Sequence, residues 1–254
     1  MRTLVLLGAL VSLPALAKPV RKTIAYEADT KLEGVLLYDD AVKTPRPGVL
    51  LVPNWLGINE PNLKQAELVA GKDYVVFVAD MYGKSIRPKD QSEAGKAAGA
   101  VKSDRALMRK RAAAGLVTLL ASGKEASLDP GKTAAIGFCF GGTTALELGK
   151  SGADLKAVVS FHGGLDAPVP TTAAPKARIL VLHGAEDPSI SDADKKAFVD
   201  DLRKVNADWQ LVEYGGAVHS FTDPDANMPG RAKYDEKTAK RAYAAMRSLF
   251  GEVF

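Results

Sequence analysis

Short apolar runs alternate with segments of helical spacing along almost the whole chain, and this alternation restricts the fold more than any other feature. Runs at 48–52, 74–79, 133–137, 156–161, 178–182 and 210–214 are short, Val/Leu-rich and nearly continuous in hydrophobicity. Strands that read this way are covered on both faces, as in a parallel sheet between two helical layers. Segments 61–71, 104–121, 143–150, 191–205 and 234–250 carry apolar residues at three- and four-residue intervals. In the last of these, Ala239, Tyr243, Met246, Leu249 and Phe250 share one face. Such alternation implies right-handed crossovers and a mostly parallel sheet of about eight strands flanked by helices, once a hairpin or edge pair at 23–28 and 34–38 is included. Asp129-Pro130-Gly131 predicts a turn feeding a central strand. The polar stretch 84–100 reads either as a loop with a short helix over a cleft or as ordinary connecting surface.

With 254 residues, 46% of them hydrophobic and 25% charged, the chain can bury one sizeable core, and no repeat, linker or composition shift marks a second domain. The formal charge of +4 arises from 34 basic and 30 acidic side chains without any block of Lys or Arg able to track a phosphate backbone, so a nucleic-acid partner is not expected. Residues 1–17 combine a basic Arg2, an apolar run from Leu4 to Leu16 broken by Pro14, and small Ala15 and Ala17 before Lys18. That is the pattern of a cleaved secretory signal. Roughly 13 apolar residues are too few to span a bilayer comfortably, so no stable membrane anchor is expected, and the domain at 18–254 should be periplasmic or secreted. Cys139 is the single cysteine and cannot form an intramolecular disulfide.

The surroundings of that cysteine carry the chemistry. Gly137-Phe138-Cys139-Phe140-Gly141 stands directly after an apolar strand and directly before a helical stretch. It has the Gly-x-nucleophile-x-Gly form of a nucleophile elbow, with sulfur in place of a serine hydroxyl. Side chains two positions either side of the nucleophile would collide with the sharp turn, so glycine is needed at both places. The turn also sets sulfur at a helix N-terminus, where unpaired N–H groups and the helix dipole favour thiolate.

A cysteine nucleophile needs a base and a group that orients the base. In an elbow fold these follow in the order nucleophile, acid, histidine. Asp187 lies just after the strand at 178–182 and His219 just after the strand at 210–214, so all three side chains are expected at one edge of the sheet. Glu186 is the rival acid; Asp187 is preferred because Pro188 turns the chain there. His162 and His183 stand at strand ends, where an imidazole often only bonds backbone, which leaves His219 as the preferred base. None of the histidines has metal-ligand spacing, so neither metal nor cofactor is expected. An oxyanion hole requires two inward N–H groups. Phe140, following the nucleophile, and Trp55, in the loop after the strand at 48–52, are the candidates.

Together these residues resemble the dienelactone hydrolase family of α/β-hydrolases, over most of the chain from about Gly48 onward. The resemblance rests on the elbow, the strand-end aspartate, His219-Ser220-Phe221 and Ala79-Asp80-Met81-Tyr82-Gly83. It implies an α/β-hydrolase fold and a Cys139–His219–Asp187 triad that opens a small ester or lactone through an acyl-enzyme. It also implies departures. Asn54 stands where that family has a glutamate near the sulfur, so activation would fall to His219 and the helix terminus as a thiolate–imidazolium pair. Lys84 and Asp223 stand where it has substrate-holding arginines. Asn54, Lys84, Phe138 and Phe221 are the candidate pocket residues. The competing class is a non-catalytic small-molecule binding protein that kept the pocket, suggested by Asn54.

Overall fold

The computed structural model describes residues 19–254; the expected signal segment at 1–17 lies outside them. Strands β1 (Pro19–Glu27) and β2 (Lys31–Asp39) form the expected antiparallel hairpin at one edge. Then come β3 (Arg46–Val52), α1 (Glu60–Ala70), β4 (Val75–Val78), α2 (Gln91–Lys102), α3 (Arg105–Ala121), the single turn α4 (Gly123–Ala126) and β5 (Leu128–Phe138). The chain continues through α5 (Phe140–Lys150), β6 (Ala157–Phe161), β7 (Arg178–Gly184), α6 (Asp192–Lys204) and β8 (Trp209–Tyr214). A small ribbon, β9 (Asn227–Met228) and β10 (Ala232–Lys233), precedes α7 (Glu236–Val253).

The eight-stranded sheet has the order β1-β2-β4-β3-β5-β6-β7-β8, parallel from β4 onward and antiparallel where β2 meets β4. This is the arrangement expected of an α/β-hydrolase fold. Side chains on a strand alternate in direction, so one sheet feeds two cores. Leu50, Val52, Ala135, Val158 and Val181 face α2, α3, α5 and α6, packing with Val101, Met108, Leu146 and Phe198. Val49, Leu51, Ile136, Val159 and Leu180 face α1 and α7, packing with Val69, Met246 and Phe250. The near-continuous apolar character of the central strands follows from this double coverage.

Stretch 84–100 is a loop at 84–90 followed by a helix beside the cleft, the first of its two readings, but the helix is longer than expected: α2 has twelve residues, capped by Asp90, whose carboxylate accepts the Glu93 N–H at 2.9 Å. Two further local readings are corrected. Helix α5 starts at Phe140, three residues before the expected 143, because the elbow passes into helix without a spacer. The Asp129-Pro130-Gly131 turn is a bulge inside β5, where pairing with β3 jumps from Pro47↔Asp129 to Gly48↔Thr133. No helix among the described residues is long and apolar enough to cross a membrane.

Candidate active site

Cys139 has φ 54° and ψ −118°, a conformation that an L-residue holds only when its surroundings enforce it. The glycines on either side show how close the enforcement is. A Cβ on Gly137 would lie 1.9 Å from the Gly141 carbonyl oxygen, and one on Gly141 would lie 2.0 Å from the Val52 carbonyl oxygen. Both neighbours are backbone, so no rotamer change relieves the clash. The Cys139 carbonyl accepts N–H groups of Gly142 and Thr143 at 2.9 and 3.2 Å, opening α5. Phe140 is the first residue of that helix, so its N–H has no intrahelical acceptor and is free for an incoming oxygen.

Asp187 and His219 are held by two loops stitched to each other. Glu186 N–H donates to the Ala217 carbonyl at 2.9 Å and Ala185 N–H to the Tyr214 carbonyl at 3.0 Å. Gly184 permits the approach, because a Cβ there would sit 2.6 Å from the Ala217 oxygen. Asp187 Oδ2 then meets His219 Nδ1 at 2.6 Å. Its other oxygen accepts the Ser189 N–H at 2.9 Å and the Ser189 hydroxyl. Burial pushes this carboxyl upward, but the bonds from His219 and Ser189 outweigh burial and bring it down to about 2. Burial likewise pulls the His219 imidazole down, and the hydrogen bond to Asp187 together with the neighbouring Cys139 sulfur reverses this, raising it to about 10. Glu186, the rival acid, is exposed. The β9–β10 ribbon, which nothing in the sequence signals, clamps His219 from the other side. His219 N–H donates to the Arg231 carbonyl at 3.2 Å, and Lys233 N–H donates to the His219 carbonyl at 2.9 Å.

Cys139, Phe140 and His219 open on one cleft of about 470 Å³. Ala98, Gly99 and Lys102 of α2 form part of its lining, together with Ile190 and Asp166. The Lys102–Asp166 ion pair at 3.3 Å belongs to that lining. Trp55 lies on a turn closed by the Gly57 N–H to Asn54 carbonyl bond at 2.9 Å. Its carbonyl accepts the Tyr82 hydroxyl at 2.8 Å, and the Tyr82 ring packs on Phe140 with centroids 5.7 Å apart. Tyr82 thus links the two segments expected to supply oxyanion donors.

The four pocket expectations need correction, since none of these side chains lines the cleft. Asn54 is a loop fastener: its Oδ1 accepts the Leu56 N–H at 3.0 Å and the Asn62 Nδ2–H at 2.9 Å. Lys84 pairs with Glu33 at 2.9 Å, beside β2. Phe138 points to the opposite core, stacked on Phe161 at 4.8 Å, because neighbours on a strand alternate in direction. Phe221 is fully buried, edge-on to His162 at 5.0 Å. Asp223 borders a separate cavity of about 330 Å³ between α1 and α7, where burial raises its carboxyl. Among the described residues no group of three or more His, Cys, Asp or Glu side chains is placed to hold a metal ion.

The chain matches the dienelactone hydrolase family over residues 32–254. A solved dienelactone hydrolase-like promiscuous phosphotriesterase from metagenomic libraries is 38% identical, with TM-score 0.86, covering 93% of this chain and 99% of its own. A Synechocystis sp. protein provisionally named carboxymethylenebutenolidase is 27% identical over 218 residues, 80% of this chain and 85% of its own length. An uncharacterised Caenorhabditis elegans protein is 34% identical over 132 residues, covering 50% of this chain and 84% of its own. The family match and the hydrolase names of its relatives set aside the reading of a non-catalytic binding protein. The chain belongs to the dienelactone hydrolase family and is a hydrolase of small molecules.

Proposed function

We propose that this hydrolase cleaves a small carboxylic ester or lactone through a Cys139–His219–Asp187 triad and a thioester acyl-enzyme. The observation that carries the reading is the 2.6 Å bond from Asp187 to His219, whose ring shares a cleft with Cys139 at its strained elbow. An imidazole raised to about 10 keeps its proton at neutral pH. With the cysteine at the N-terminus of α5, the resting site in this reading is a thiolate–imidazolium pair. Asn54 takes no part, since its amide oxygen is spent on the loop.

From that state the thiolate attacks the acyl carbon, and the N–H groups of Phe140 and Trp55 receive the oxyanion. The imidazolium gives its proton to the leaving alkoxide, which in a lactone stays tethered to the acyl group. Neutral His219 then takes a proton from water, the resulting hydroxide attacks the thioester, and collapse expels the thiolate beside a restored imidazolium. Asp187 holds the ring so that Nε2 faces the reaction.

Alkylation of Cys139 by iodoacetamide tests the ion pair. The rate should already be high at about pH 6.5 and vary little up to about pH 9; reactivity that emerges only above about pH 8, as for an ordinary thiol, contradicts it.

A second reaction is favoured by the phosphotriesterase relative at 38% identity. The same thiolate can attack phosphorus in an aryl phosphotriester and expel the aryloxide, whose oxygen takes the His219 proton. Both activities should then vanish together in Cys139→Ala. Export remains a reading of residues 1–17. Under it, the protein recovered from its own cells begins near Lys18; a chain still starting at Met1 or Arg2 contradicts it.

A further inference from the structure

His162 directly follows β6 with φ 41°, a left-handed conformation that glycine adopts more easily, although the next two residues are themselves glycines. A strained side-chain-bearing residue beside two glycines calls for a use of its side chain. The imidazole is 2% exposed and does not line the cleft. Its Nδ1 accepts the Cys139 backbone N–H at 3.1 Å. Its Nε2 lies 2.8 Å from Thr222 Oγ1. Its ring stands edge-on to the His219 ring, with centroids 5.2 Å apart.

The Cys139 N–H already donates to the Phe161 carbonyl at 3.0 Å, so the ladder is satisfied without His162. The second acceptor instead fixes the direction of the amide at the nucleophile. An Nδ1 that accepts carries no proton, so the ring holds its proton on Nε2 and donates it to Thr222. Thr222 is held in turn by Gln65 Nε2 at 3.3 Å, and the same Gln65 nitrogen reaches the Tyr243 hydroxyl at 3.2 Å. Burial and the nearby His219 keep His162 well below the ordinary imidazole range. A neutral ring is what the site requires. A charged one would lose its bond to the Cys139 N–H and set a second cation against His219.

We propose that His162 is a positioning residue for the hydrolytic reaction: a neutral imidazole, fixed in its Nε2–H tautomer by Thr222, that aligns both the Cys139 elbow and the His219 ring without touching substrate. This rests on the Cys139 hydrolase reading.

The test compares kcat and KM for a short-chain nitrophenyl ester among wild type, Thr222→Val, His162→Phe, His162→Asn and Cys139→Ala. His162→Phe keeps an aromatic ring but has no acceptor, and should lower kcat by about 10- to 100-fold with KM within about twofold. His162→Asn tolerates the left-handed backbone and offers its amide oxygen near the place of Nδ1, so it should recover most of that loss. Thr222→Val is nearly isosteric and buried, and by releasing the tautomer should lower kcat by about 3- to 10-fold while the fold stays intact. Imidazole 15N NMR should show His162 protonated on Nε2 alone in wild type and a mixture of tautomers in Thr222→Val. Turnover that depends on Cys139 but is indifferent to His162→Phe and Thr222→Val overturns the positioning role alone. So does a loss that His162→Asn shares in full, which would mark a packing role. Turnover that survives Cys139→Ala removes the hydrolase reading and this role with it.

Discussion

Replacing Cys139 by alanine is expected to lower kcat/KM for a short-chain nitrophenyl ester by about 10³-fold or more, with little change in thermal stability. The two halves of this expectation have different origins. In the proposed mechanism sulfur supplies the covalent step, and the N–H groups that would hold an oxyanion cannot replace it. The side chain contributes little to the fold, since Cys139 is only partly buried and alanine keeps the Cβ that the elbow already accommodates. The variant also reports on the base. Part of what raises His219 is the neighbouring Cys139 sulfur, so without sulfur His219 should titrate below about 10, which histidine NMR can follow. An unaltered His219 titration would mean that the thiol and imidazole do not interact. Activity that persists would place the nucleophile elsewhere.

The largest structural effect is expected at Gly137. An alanine there would put a methyl carbon 1.9 Å from the Gly141 oxygen and 2.1 Å from its carbonyl carbon. The two elements in this contact are β5 entering the elbow and α5 leaving it, so relief requires the elbow itself to open. A loss of about 3 kcal/mol or more is expected, or failure to accumulate as folded protein. For a chain of this size that lowers the melting temperature by about 6–12 °C, and hydrolysis should be lost even in the fraction that folds. Gly99→Ala is the matched control. A Cβ at Gly99 meets nothing within 4 Å, and alanine is the better helix former within α2, so stability should hold or rise by up to about 1 kcal/mol. Equal melting temperatures for Gly137→Ala and wild type would contradict the close approach that defines the elbow.

These two substitutions also show why the elbow is legible in sequence. A turn this sharp leaves steric traces at fixed offsets, and Gly137 and Gly141 are those traces. Parallel strands buried on both faces read as apolar runs, so β3 to β8 could be located within a residue or two at most ends. The acid and histidine loops follow from chain order once the strands are placed. What was hidden lacked such a trace. Helix α2 buries only Ala94, Ala98 and Val101, and its Gly95 and Gly99 blur a helical pattern. The β9–β10 ribbon has two residues on each strand and grips His219 through backbone alone, which no side-chain pattern can signal. Phe138 adjoins Cys139 in sequence, yet strand alternation sends its ring to the opposite core. Lys84 follows Gly83, whose φ of 132° redirects the chain toward Glu33. His162 was readable as a strand-end histidine bonding backbone. That the backbone belongs to Cys139 could emerge only from the three-dimensional neighbourhood of β5 and β6.

Covalent capture tests the nucleophile most directly. Mass spectrometry of the protein quenched in acid during turnover of a slowly deacylated ester should find the acyl mass on the peptide that contains Cys139, and none in Cys139→Ala. An acyl group on any other residue, or turnover through a burst with no adduct on Cys139, would contradict the thioester mechanism.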